Sequence, residues 1–330
     1  MKPWLLFEAK RPTLWILLFI TTVAVSSCGG NSGGNSNAGN QQATVDSTTP
    51  NSNNVVDEIN PPVPTGQTAI DGYHWFNFRR RQMGLAIVSE NALISSAAQA
   101  HSDYQRLNQT ITHLEVPDRQ GYTGITLADR LSAAQYQLPR VNYAYGEVIS
   151  ATGYTSGILA AELLLGAIYH RFVILEPKFT EAGVGAATAT NGYTYFTTNF
   201  ASNDLFRAGL GNGRLVAFPF PGQQEVPTTV FSDEEEPDPV PDQNEVGYPV
   251  SVHADITSVV QVDSFTMHPR GGEQAATRLL TREWDGNISF PSVAAIIPLD
   301  ALQPKTDYDV QFTGTVDDLP INLTWSFKTQ

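Results

Sequence analysis

The sequence predicts an α+β protein of two folded units, a helix-and-strand unit followed by an all-β unit. Three observations carry this reading. Residues 73–175 hold apolar side chains at three- and four-residue steps and lead into an alternating stretch at 192–200. Residues 248–330 break into short alternating runs at 250–254, 259–267, 277–284, 294–298, 308–313 and 323–329, separated by turn residues, the pattern of a β-sandwich. Between them lies Ser-Asp-Glu-Glu-Glu-Pro-Asp-Pro-Val-Pro-Asp-Gln-Asn, residues 232–244, acidic and rich in proline. A length of 330 residues accommodates about two ordinary domains.

The chain begins with a stretch that reads as an export signal. Lys2, Lys10 and Arg11 precede an apolar core at 14–25, which is shorter than the about 20 apolar residues a spanning helix needs. Val25-Ser26-Ser27-Cys28 resembles a bacterial lipobox. That resemblance implies removal of residues 1–27, lipidation of Cys28 and, from Gly29, sorting to an outer membrane or cell surface. The alternative is an ordinary export signal with a stray cysteine. Cys28 is the only cysteine, so no intrachain disulfide is available and stability must come from packing. Residues 28–70 are dense in Gly, Asn, Ser, Thr and Gln, too poor in apolar surface to offset ordering entropy, and are expected to form a flexible tether.

Residues 71–231 form the first predicted unit. Tyr73, Trp75, Phe76, Phe78, Leu85 and Ile87 mark a helix whose Arg79-Arg80-Arg81 run reads as a solvated face rather than a binding patch. A second helix is expected over 91–108, with His101 as a satisfied core or flank histidine. Thr126 and Asp129 open a third as a capping-box-like start, and Pro139 ends it. Residues 143–150 read as a strand carrying Glu147, and 157–167 as a helix apolar nearly all round except Glu162, hence an internal one. Gly183-Val184-Gly185 lacks the six-residue glycine pattern of a dinucleotide loop, and no strand-to-helix switch follows it.

Read in order, Tyr145-Gly146-Glu147-Val148-Ile149, the apolar helix, His170-Arg171 and Phe179-Thr180-Glu181-Ala182-Gly183-Val184-Gly185 resemble the CAP superfamily, in its bacterial SCP-like branch. The resemblance runs from about 73 to 200. It implies an α-β-α sandwich and a central cavity gathering two histidines and two acidic residues, which in some members holds a divalent metal. By position His113 matches the first histidine, Glu147 the first glutamate and His170 the second histidine. Leu164 stands in the place of the family's helical tryptophan and Ala167 in that of its second glutamate. Glu162, eight residues before His170, is the substitute the sequence offers if the helix continues.

Two imidazoles and a carboxylate suffice for Zn²⁺ or another divalent cation with an open position, with His113 and His170 as the metal ligands. The same trio also makes a hydrogen-bonded polar floor, a common role for a strand carboxylate. The candidate catalytic residues are therefore His113, Glu147 and His170. No Gly-x-Ser-x-Gly, His-Glu-x-x-His or cysteine pair supplies a nucleophile or a second site.

Residues 232–245 are expected to be an extended linker to an all-β sandwich at 246–330. Leu302-x-Pro304-x-Thr306-x-Tyr308-x-Val310 and Trp325-Ser326-Phe327 resemble the closing strands of bacterial Ig-like domains. That likeness implies a tyrosine corner at Tyr308 and core roles for Trp325 and Phe327.

Nineteen Lys and Arg against 33 Asp and Glu give a net charge of −14; without residues 1–27, which carry Lys2, Lys10, Arg11 and Glu8, it is −16. Such a surface disfavours nucleic acid and anionic lipid. Two readings remain: a surface-anchored module that binds a small hydrophobic or cell-envelope ligand, or a metal-assisted hydrolase. The anchor makes a direct prediction. In detergent phase partitioning the wild-type chain is expected in the detergent phase and Cys28→Ser in the aqueous phase; equal aqueous partitioning of both rules out lipidation.

Overall fold

A computed structural model describes residues 15–19, 60–139, 142–202 and 209–330. Cys28 and tether residues 28–59 lie outside the described residues. In chain order the elements of the first unit are β1 (Trp15–Phe19), α1 (Thr68–Gln82), β2 (Ser89–Glu90), α2 (Ala92–Asn108), α3 (Leu127–Ala133), β3 (Ala144–Thr152), α4 (Gly157–Gly166), α5 (Ile168–Ile174), β4 (Glu181–Thr188) and β5 (Thr194–Ser202). The remainder is β6 (Val216–Phe218), β7 (Thr229–Phe231), β8 (Glu235–Glu236), β9 (Glu245–Gly247), β10 (Val250–His253), β11 (Val260–Pro269), β12 (Thr277–Thr281), β13 (Val293–Pro298), β14 (Asp307–Val316) and β15 (Leu319–Lys328).

The main sheet runs β2-β4-β5-β3-β1-β8 and has helices on both faces. On one face α2 lies almost on the backbone of β4. A Cβ at Gly183 would come within 2.1 Å of Ser95 N, and one at Gly185 within 2.3 Å of the Gln99 backbone. The Gly-x-Gly spacing therefore serves helix-to-strand contact, since alternate residues of a strand share a face. On the other face Phe76 of α1 packs against Phe196 and Phe200 of β5, and α4 and α5 complete the layer. Asn91 caps α2 through Leu93 N, and Thr126 and Asp129 form the reciprocal capping box of α3.

The arginine run does not form a solvated face. Arg80 is fully buried and donates to the carbonyls of Ala86, Ile174 and Glu176 at 2.8–2.9 Å, tying α1 to the exit of α5. Arg79 is half-buried and pairs with Glu162; only Arg81 is exposed. Nor does the apolar helix continue: α4 and α5 meet at a 110° bend at Ala167, which turns Glu162 out of line with His170. No single described helix is long and apolar enough to cross a membrane.

Beyond the first unit, β12-β13-β10-β6 form one sheet and β11-β14-β15 another. Their facing side chains, among them Phe265, Phe312, Trp325, Val252 and Ile296, are buried. The sheet of β10 recruits β6 from before residue 232, because Val216, Ala217 and Phe218 pair with His253, Val252 and Ser251. The stretch read as an extended linker is folded: β7 and β9 form a ladder, a 3₁₀ turn spans Ser232–Glu234, and β8 joins the main sheet. Glu235 anchors the stretch, its carboxylate accepting from the backbone N–H groups at the start of α5. Most buried apolar residues of both units accordingly form one cluster reaching from Phe76 to Phe327, with a smaller one around Ile94, Leu131 and Tyr136. Limited proteolysis is expected to spare 232–245 until global unfolding; an early cut there, releasing two resistant fragments, restores the linker reading.

Candidate functional site

Glu147 is the centre of a buried polar cluster on the α2 face of the sheet. Its Oε1 lies 2.8 Å from His113 Nδ1, and both of its oxygens accept from Arg130 Nη2, at 2.8 and 2.7 Å. Arg130 comes from α3, where the capping box fixes the first turn, and its Nη1 donates to the His113 carbonyl at 2.9 Å. Next to it Glu115 bonds His101 Nδ1 at 2.8 Å and accepts from Thr123 N and Gly124 N, while Arg130 Nε sits 4.0 Å from Glu115 Oε1. His101 also bonds the Thr112 carbonyl and is the satisfied core histidine expected from its position. Burial alone would raise the Glu147 carboxyl; the Arg130 charge, aided by His101 and His113, outweighs it and holds the group well below the usual carboxylate range.

His170 belongs to a different cluster. It sits fully buried in the first turn of α5, where Ala167 has no side chain to cap the helix. Glu235 caps it instead. Its carboxylate accepts from Ile168 N and Tyr169 N at 2.7 Å and from His170 N at 3.2 Å, and its Oε1 lies 3.0 Å from His170 Nδ1. The adjacent Arg171 donates to the carbonyls of Leu165 and Pro249, and its guanidinium lies 4.8 Å from the Phe218 ring and 4.9 Å from the Tyr248 ring. Thus the His-Arg pair fastens α5 to residues beyond 215.

Of the three expected site residues, the structure brings together His113 and Glu147 and places His170 elsewhere. The reason is strand alternation. A Cβ on Gly146 would strike Val173 of α5, so its neighbour Glu147 points to the opposite face of the sheet. Glu162 is engaged by Arg79 and by Trp75 Nε1. Among the described residues no group of three or more His, Cys, Asp or Glu is arranged to hold a metal ion. The donor set does not suit one either, because the Arg130 guanidinium lies against both oxygens of Glu147. Arg130, Glu115 and Glu235 are the residues that sequence reasoning missed. The capping box at Thr126 placed Arg130 inside a helix, but nothing in the sequence linked Glu235 to α5, some 65 positions away.

Residues 73–200 match the model of the CAP family, described as the cysteine-rich secretory protein family. The chain carries a CAP domain. Solved structures similar to it include an extracellular protein containing an SCP domain from Bacillus anthracis str. Ames, at 23% identity and TM-score 0.35, covering 43% of this chain and 44% of that one. Another is an outer surface protein from Borrelia burgdorferi, at 15% identity and TM-score 0.33, covering 40% of this chain and 90% of that one. The chain thus spans less than half of the Bacillus protein. No curated protein matches it. The CAP match ends before Glu235, so the partner of His170 lies outside the matched residues.

A second feature lies where the CAP domain meets the following chain. A cavity of about 280 Å³ opens between α4 and the β7–β9 ladder, walled by Leu159, Leu163, Ile168, Val230, Phe231 and Tyr248. Glu162 and Glu235 reach it with carboxylates already bonded, and burial raises the Glu234 carboxyl at its margin.

The Glu147 cluster makes a stability prediction. Glu147→Gln leaves Arg130 buried with a weakened partner and is expected to cost about 3–5 kcal/mol in urea unfolding at pH 7. Because the folded carboxyl is depressed, its stabilisation is present above the unfolded value and lost as pH falls through the folded one. The gap between wild type and variant should therefore narrow below about pH 4.3. Equal stability at pH 7 removes Glu147 from its structural role.

Proposed function

We propose that this chain is an exported binding module, anchored to the cell envelope through lipid on Cys28, that holds a small apolar molecule in the cavity between α4 and the β7–β9 ladder. The cavity is the observation that carries the reading: its walls are apolar side chains, and its volume approaches that of known small-ligand pockets, about 300–1,000 Å³. Two of its three nearby carboxylates are committed to protein partners, so a ligand with a single hydroxyl or amine near Glu234 matches its chemistry. The Glu147 cluster favours binding over hydrolysis. It is closed by Arg130, and a depressed carboxylate is a poor general base near neutral pH.

In this reading the C-terminal β unit, with four strands in one sheet and three in the other, is an Ig-like domain. Tyr308 supports it, since its hydroxyl accepts from Gln303 N, five residues upstream, as a tyrosine corner does. Its role is to complete the cavity wall and to present the CAP domain away from the membrane. Export rests on the leader and lipobox of the sequence.

The neutral fluorescent probe N-phenyl-1-naphthylamine tests the cavity. Wild type is expected to bind it saturably. Leu159→Trp, at a position 38% exposed on the cavity mouth, should weaken binding about tenfold without moving the unfolding midpoint. Identical titrations for the two proteins remove the cavity from the function.

A further inference from the structure

The place between β3 and β8 in the main sheet is filled by the segment that reads as the leader core. β1 pairs antiparallel with β3 over five residues, from Trp15 opposite Ala151 to Phe19 opposite Glu147, and parallel with β8 at Ile16 and Leu17. Strands in a sheet lie about 4.8 Å apart, so β3 and β8 face each other across a slot roughly 10 Å wide, the width of one strand.

The β3 edge has none of the devices that close natural sheet edges. It runs nine residues in unbroken register with β5, without a bulge or a proline, and its one charge, Glu147, is neutralised by Arg130. Across the slot, the Glu235 carboxylate is spent on the start of α5. Cleavage before Cys28 removes β1 and leaves the backbone groups it was bonding without a partner, which is costly for strands this deeply placed.

We propose that in the processed chain the slot between β3 and β8 accepts an extended, uncharged apolar peptide from another protein, added as a strand antiparallel to β3. Main-chain bonds to Glu147–Ala151 supply the affinity, as in other strand-addition interfaces. The occupant's character follows from the segment that fits: Trp-Ile-Leu-Leu-Phe is uncharged, extended and five residues long. The inference rests on the export reading but not on the apolar cavity.

The test uses the chain isolated from its producing cells in lipid nanodiscs, with its N-terminus read by mass spectrometry. The probe is a synthetic peptide of residues 12–22 bearing a soluble lysine tail, and a second copy N-methylated at alternate residues serves as control. The N-terminus is expected at Cys28. The probe should slow amide exchange across residues 147–151 at least tenfold, and the methylated copy, equally apolar but unable to complete the ladder, should not. A chain that retains residues 15–19, protection of 147–151 before any peptide is added, or equal protection by both peptides overturns the proposal. Leu159→Trp is expected to bind the probe like wild type, so the slot and the cavity stand or fall separately.

Discussion

Everything at the junction of the molecule depends on the start of α5. A short helix begins there after a sharp bend, with three backbone N–H groups and an imidazole buried in the core and an arginine beside them. Left alone these groups would cost several kcal/mol each in desolvation. Glu235 satisfies the donors and the Pro249 carbonyl takes the guanidinium, both supplied by chain beyond the CAP match. The CAP domain is therefore completed from outside itself. This explains why an acidic, proline-rich stretch folds against α5 rather than remaining a spacer, and why the two units share a core.

The same logic recurs at other buried ionisable groups. Arg80 spends its donors on carbonyls at the end of α5. Glu176, pushed up to about 8 by burial and by Asp255 despite the backbone donors Lys178 N and Ile256 N, reaches into the second unit through Ile256. On the opposite face Arg130 stands between Glu147 and Glu115 and links two loops to the strand that carries the expected site. With no disulfide among the protein's resources, such buried polar links help to orient the elements they join, while apolar packing supplies most of the free energy.

Both proposed sites lie at boundaries. The apolar cavity forms where α4 meets the β7–β9 ladder, and the proposed strand slot is the place between β3 and β8 that β1 fills. In both cases one wall belongs to the CAP match and the other to the chain that follows, so neither site exists in the matched residues alone.

Much of the local structure was legible in the sequence, because capping residues and periodicity act over a few positions. Asn91 and the Thr126–Asp129 box start their helices where the pattern placed them, whereas the close approach of α2 to Gly183 and Gly185 came only from the structure. The pairing of His113 with Glu147 was likewise readable from the family likeness. Only the tertiary structure decided which carboxylates His170 and His101 meet. Face alternation along β3 separates Glu147 from α5, the bend at Ala167 redirects Glu162, and Glu235 is brought 65 residues back to His170. Such partners are selected by the desolvation of buried charge, a cost that appears only when the chain has closed around it.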